Sequence, residues 1–185
     1  QPLAGMYSTF MLPNSHIDKK ERLEQLSEAI KRIYASTFFQ GPKSLMDNYS
    51  HRHEEEKMAI IIMELIGNRY GNNFYPNFSG VAQSYNYYPT SYIKRTDGVT
   101  YIALGLGKTV VDGEKSIRFC PKYPSLIHQF YSIKSTIDTS QHEFYALDID
   151  SGKNLMGKGE NKNLKHYHLS VAENDGELKF IGSVI

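Results

Sequence analysis

Apolar residues recur at steps of three and four in the early part of the chain and alternate with polar ones through much of the rest. Leu23, Leu26, Ile30, Ile33 and Tyr34 form one apolar stripe, with Lys19, Lys20, Glu21, Glu24, Glu28 and Lys31 between them, which predicts an amphipathic helix. Asp18 followed by Glu21 resembles a capping pair at its start. Gly41-Pro42 marks a break and a restart, with a second short helix over 43–49. Residues 7–12 read as a short strand, and the apolar run 58–66 as a buried one. Residues 68–77 are rich in Asn, Gly and Tyr and read as a loop. Further strands are predicted over 81–87, 99–104, 116–120, 144–149, 166–171 and 178–185. Asp112-Gly113 and Glu173-Asn174-Asp175-Gly176 are hairpin signals, the first joining Val110-Val111 to 116–120. Residues 151–163 are polar and rich in Gly, Lys and Asn, the pattern of a mobile loop. The sum is an α+β fold, with an early pair of helices and a later mixed or antiparallel sheet. The pattern divides it into residues 1–150 and a segment 151–185, the latter a polar loop and C-terminal β-hairpin that continues the same domain or forms a small appendage.

Composition narrows the class. With 185 residues, 40% of them hydrophobic and 22% charged, the chain has material for one packed core and is a poor candidate for disorder. The formal net charge of +1 makes no general electrostatic case for nucleic acid or for a membrane surface. No run approaches the ~20 apolar residues that span a bilayer. A single cysteine, Cys120, rules out an intrachain disulfide and fits a reducing, cytoplasmic compartment; its place in an alternating run fits a packed thiol.

Few motifs carry chemistry by themselves. Gly105-Leu106-Gly107-Lys108-Thr109 has the glycines and the cation of a phosphate loop, but lacks P-loop spacing, and Val110-Val111 after it reads as strand rather than helix. A glycine-kinked strand end is the plain alternative. His51-Arg52-His53-Glu54-Glu55-Glu56 and His166-Tyr167-His168 place histidines two apart, without a second pair to complete a zinc set, so no metal ligand is assigned. No residue is singled out as catalytic. Tyrosines at Tyr85-Asn86-Tyr87-Tyr88 fit core packing or loop filling; a carbohydrate or base-stacking surface would need exposed, coplanar rings there.

The order of several segments resembles the N-terminal nucleotide-binding domain of phosphoenolpyruvate synthase and pyruvate phosphate dikinase. Leu3-Ala4-Gly5-Met6-Tyr7-Ser8-Thr9 is similar to the family's Phe-Ala-Gly loop, and Tyr34-Ala35-Ser36 and Tyr49-Ser50-His51-Arg52 to its Ala-Ser and Tyr-x-x-Arg segments. Ile61-Ile62-Met63-Glu64-Leu65-Ile66 resembles its Val-Gln-x-Met-Val strand, Ser79-Gly80-Val81-Ala82 its Ser-Gly-Val-Ala, and Gly105 to Gly113 its Gly-Leu-Gly-Glu-x-Val-Val-x-Gly. The resemblance implies an ATP-grasp-type fold with ATP between two subdomains. Gly5 and Thr9 would lie over the phosphates, the backbone of Glu64, Leu65 and Ile66 would line the adenine pocket, Ser84 would contact phosphate, and Gly105, Gly107 and Lys108 would close the site. The implied cofactors are ATP and Mg²⁺, and the implied reaction makes phosphoenolpyruvate from pyruvate through a phosphohistidine on another domain of the same parent. Lys108 stands where Glu is common in the family and Met63 where Gln is. The family's Arg-Ser-Ser segment and upstream Lys do not precede Gln1, and its late Gln-x-Arg does not occur before Ile185, so the expectation is an excised piece, inactive alone. The rival expectation is a regulatory or interaction module that kept the fold and lost the activity.

Overall fold

The computed structural model describes residues 7–47, 58–150 and 162–180. The chain forms two units, Gln1–Leu65 with Leu147–Leu164, and Ile66–Ala146 with Lys165–Ile185.

In the first unit, helix α1 spans Lys19–Ser36 and α2 spans Gln40–Asp47. The Asp18 carboxylate accepts the Lys20 N–H and so starts α1. Arg32 and Glu28 pair one turn apart. The inward edge of α1 is Ala29 and Ser36, while Leu23 and Tyr34 of the predicted stripe are exposed. Helix α2 begins three residues earlier than expected, because Pro42 is accommodated within its first turn. Residues 7–12 are not a strand. Side chains hold them instead: the buried Ser36 hydroxyl accepts the Ser8 N–H at 3.1 Å, and the Asn163 amide donates to the Met11 carbonyl.

The run 58–66 also differs from expectation. It joins no ladder, and Ile61, Ile62, Met63 and Ile66 are exposed. An apolar run becomes a strand only where a neighbour takes its N–H and C=O groups, and among the described residues none does. The tyrosine-rich stretch after it is not a loop. Strands β1 (Asn68–Tyr70) and β2 (Asn73–Tyr75) form an antiparallel hairpin with Tyr70 opposite Asn73. The Gly71-Asn72 pair between them is a two-residue turn that the surrounding asparagines masked.

Two sheets build the second unit. Strands β3 (Ser79–Gln83), β4 (Val99–Ala103) and β5 (Ile117–Phe119) are antiparallel, with Ser79 beside Ala103, Gln83 beside Val99 and Thr100 beside Phe119. A four-stranded sheet has the order β1-β2-β6-β7, with β6 at Glu143–Asp148 and β7 at Leu164–His168. Its core is Tyr75 packed on Phe144 at 4.8 Å, with Ala146 and Ala172 also buried. The Tyr75 hydroxyl donates to Asp175, and burial together with that carboxylate raises the phenol's pKa well above its ordinary value. Cys120 is buried, with its thiol near the Asp97 carbonyl.

Both expected Asp-Gly hairpins are helix ends. Val110-Val111 belong to a one-turn helix, α3 (Lys108–Val111), and residues 169–174 form α5 (Leu169–Asn174), followed by a 3-10 turn at Leu178–Phe180. After α3, Gly113 N–H donates to Val110 O and Glu114 N–H to Thr109 O; after α5, Gly176 N–H donates to Glu173 O and Glu177 N–H to Ala172 O. Gly113 and Gly176 have φ of 76° and 79°. These are Schellman closures, in which a left-handed glycine lets two backbone N–H groups cap the last carbonyls. Helix α4 (Ile133–Thr139) starts at Ser132, whose hydroxyl accepts the Ser135 N–H. No helix among the described residues is long and apolar enough to cross a membrane.

Candidate nucleotide site

The loop that follows β4 is fixed almost atom by atom. The Gln141 side-chain amide brackets Leu104, accepting its N–H at 2.8 Å and donating to its carbonyl at 3.0 Å. The Ser79 hydroxyl donates to Gly105 O at 2.7 Å, and Leu106 N–H donates to the Tyr145 carbonyl at 2.9 Å. Leu104 and Leu106 are buried beneath it. A Cβ on Gly105 would lie 2.8 Å from both the Phe144 ring and the Tyr145 carbonyl, and its φ is 84°, so packing alone demands glycine there.

Gly107 is different. Its φ is ordinary at −59°, and a Cβ would meet only Ser79, at 3.8 Å. The protein's own packing does not require a glycine at this position. The N–H groups of Gly107 and Lys108 find no acceptor among the described residues. A bare backbone with two unspent donors on a pinned loop is the arrangement that admits an anion closely.

Lys108 is the first residue of α3 and is held on both sides. Its ammonium contacts Asp112 at 2.5 Å and lies 5.5 Å from the centre of the Tyr145 ring. The Tyr145 hydroxyl donates to Glu114 at 2.8 Å, and burial, then that hydrogen bond, pushes its pKa up to about 12. The same ring stacks on His166 at 4.4 Å, and His166 faces Glu143 at 3.6 Å. Thr109, the next residue, is buried, and its hydroxyl oxygen has no partner among the described residues.

The other residues expected from the sequence are placed as follows. Gly5 lies outside the described residues, as do 48–57 with His51 to Glu56, 151–161 and 181–185. Thr9 is exposed in the first unit, next to the Ser8 that Ser36 anchors. Glu64 and Leu65 end that unit's run and Ile66 begins the second. Ser84 is exposed just beyond Gln83, at the opposite end of β3 from Ser79, roughly 16 Å along the strand. The structure thus brings Gly105, Gly107 and Lys108 together and sets Ser84 at the far end of the same sheet. Sequence reading missed Gln141 and Tyr145, which hold the loop from more than thirty residues away. Ser36 was visible only as part of a motif. No local signal marks such long-range partners.

Among the described residues, no group of three His, Cys, Asp or Glu side chains is placed to hold a metal. The two carboxylates that follow the loop are engaged, Asp112 by Lys108 and Glu114 by Tyr145. These residues do not form a magnesium site.

No curated protein and no solved structure matches the chain. The family model of the pyruvate phosphate dikinase AMP/ATP-binding domain matches residues 1–171. The loop geometry and that match lead to one conclusion: the chain belongs to the pyruvate phosphate dikinase AMP/ATP-binding domain family.

Proposed function

We propose that this chain is the ATP-binding part of an ATP-dependent phosphotransferase of the phosphoenolpyruvate synthase and pyruvate phosphate dikinase type, working in the cytoplasm with an ATP-grasp-type fold. In the intact parent a phosphoryl group would pass from ATP to a histidine on another domain and from there to pyruvate, giving phosphoenolpyruvate. The observation that carries the reading is Gly107: a glycine that neither strain nor packing explains, on a loop whose neighbouring N–H groups have no acceptor among the described residues and so are open to phosphate oxygens. Gly105 keeps the loop's course, and Lys108 adds the cation once its ammonium leaves Asp112. Gly5 and Thr9 would cover the phosphates, Glu64, Leu65 and Ile66 would line the adenine, and Ser84, at the other end of β3 from the glycine loop, would add a hydroxyl only to a part of the nucleotide away from Gly107. Mg²⁺ would arrive on the nucleotide's own phosphates. Residues 1–150 would be the nucleotide-binding portion and 151–185 its continuation, a reading supported by β7 lying in the same sheet as β6.

Calorimetric titration of the full-length protein with Mg-ATP tests this. Gly107→Ala, which has room in the fold, is expected to weaken binding about tenfold without changing the thermal midpoint. Asp112→Asn is expected to tighten binding by releasing Lys108. Wild-type affinity in Gly107→Ala, or no nucleotide binding in the parent, would end the proposal.

A second reading has its own support. Lys108 is occupied by Asp112, and the residues after the loop form no metal site. A parent that binds ATP but shows no pyruvate-dependent turnover would be a module that kept the nucleotide site and lost the reaction.

A further inference from the structure

At the end of the three-stranded sheet away from Gly105, the chain holds tyrosines in water. Tyr87 and Tyr88 are 68% and 80% exposed, and Tyr92 is 62% exposed. Their backbone is not loose. Asn86, itself buried, donates its N–H to Arg95 O at 2.8 Å and accepts the Tyr88 N–H and an Arg118 N–H on its side-chain oxygen. Arg118 also donates to the Tyr88 carbonyl at 2.7 Å, while its shielded Nε has no partner among the described residues. Burying the Asn86 amide is costly unless it is bonded, and the Tyr88 N–H and Arg118 satisfy its oxygen. These hydrogen bonds hold residues 86–88 as an arch with the Tyr87 and Tyr88 rings exposed, and exposed aromatic groups on a fixed support mark a binding surface.

The ring geometry selects the ligand. Tyr85 and Tyr87 meet at 4.9 Å with planes 69° apart, and Tyr92 and Tyr123 meet at 5.1 Å with planes 87° apart. A coplanar platform for sugars or successive bases is absent from these pairs. Perpendicular rings instead make notches with aromatic walls, the surface that receives prolines of a polyproline II segment. The charge around them is one-sided. Residues 84–98 and 116–124 contain Lys94, Arg95, Arg118 and Lys122 against one acid, Asp97. The Asp97 carboxylate is already taken by Lys122 at 3.0 Å and by the Lys94 N–H. The whole chain carries only +1, so this end is locally cationic.

We infer that this surface docks an extended, proline-containing segment with acidic flanks on a partner protein. The perpendicular tyrosines receive the prolines, and Lys94 and Arg95 face the acidic flanks. The inference does not rest on the nucleotide reading, which uses only Ser84 at this end of the sheet.

Fluorescence anisotropy on the full-length protein tests it with three labelled probes. These are a proline run flanked by glutamates, the same run flanked by lysines, and an oligothymidine. The glutamate peptide is expected to bind best and to weaken with added salt. Tyr87→Ala and Tyr88→Ala, both at exposed positions, are each expected to weaken it about tenfold with the thermal midpoint unchanged. Arg95→Glu is expected to shift preference toward the lysine peptide. Failure of the glutamate peptide to bind, wild-type affinity in both tyrosine variants, or preferential capture of oligothymidine would overturn the inference.

Discussion

Tyr145 shows how one residue serves several contacts at once. Its carbonyl holds Leu106, its ring lies beside Lys108 and against His166, and its hydroxyl is bonded to Glu114. Burial and the Glu114 bond keep the phenol protonated up to about pH 12, whereas an unfolded tyrosine loses its proton near 10. Between those values the unfolded chain binds fewer protons than the folded one, so stability falls as pH rises. Tyr70 and Tyr75 are raised too and act in the same direction. Urea midpoints measured from pH 9 to 12 should therefore decline, and Tyr145→Phe should make the decline shallower. An identical decline in the variant would mean that Tyr145 does not hold its proton in this way. The sequence presents Tyr145 as one of 14 tyrosines, and nothing near it distinguishes it. Gly105 and Gly107 were legible as a glycine-rich turn. Their different duties became visible only when Phe144 was found crowding one and Ser79 at ordinary contact distance from the other.

Elements were readable where local chemistry and packing agree. Asp18 and the three-four spacing locate α1, and alternation locates β4, β5 and β6 nearly to the residue. They were misread where one dipeptide serves two structures. Asp-Gly can turn a hairpin or close a helix, because both uses need glycine with positive φ. At α5 the outcome follows from burial of Ala172 and from His168, whose ring nitrogen accepts the Ser170 N–H at the helix start. Gly176→Ala should cost about 1–2 kcal/mol from left-handed strain alone, since a Cβ there meets nothing. Gly105→Ala should cost more, as it adds a collision with Phe144 to the same strain. Chemical denaturation of both variants checks the order, and equal losses would refute the packing argument.

For the whole molecule, the α+β class with early helices and antiparallel sheets followed from the hydrophobic pattern. The pattern overreached at 58–66, where the apolar residues suit a strand but hydrogen-bonding partners decide whether one forms. It also could not show that the three-stranded sheet carries unlike surfaces at its two ends, with the glycine loop at one and the tyrosine arch at the other. That division depends on register, which places Ser79 at one end and Gln83 at the other.

Cys120 provides a way to observe the arch end of that sheet in motion. As the chain's one thiol, 2% exposed and just beyond β5, it is shielded from reagents while the sheet's end is closed. Each transient opening would give an alkylating probe one chance to react, so under native conditions the labelling rate becomes a clock for local unfolding. Removing the Arg118 brace with Arg118→Lys should make that clock run faster, while Gly176→Ala should leave it nearly unchanged. Equal rates in the two variants would mean that the arch opens only when the whole unit does. The protein carries its own reporter of opening, with no label to engineer in.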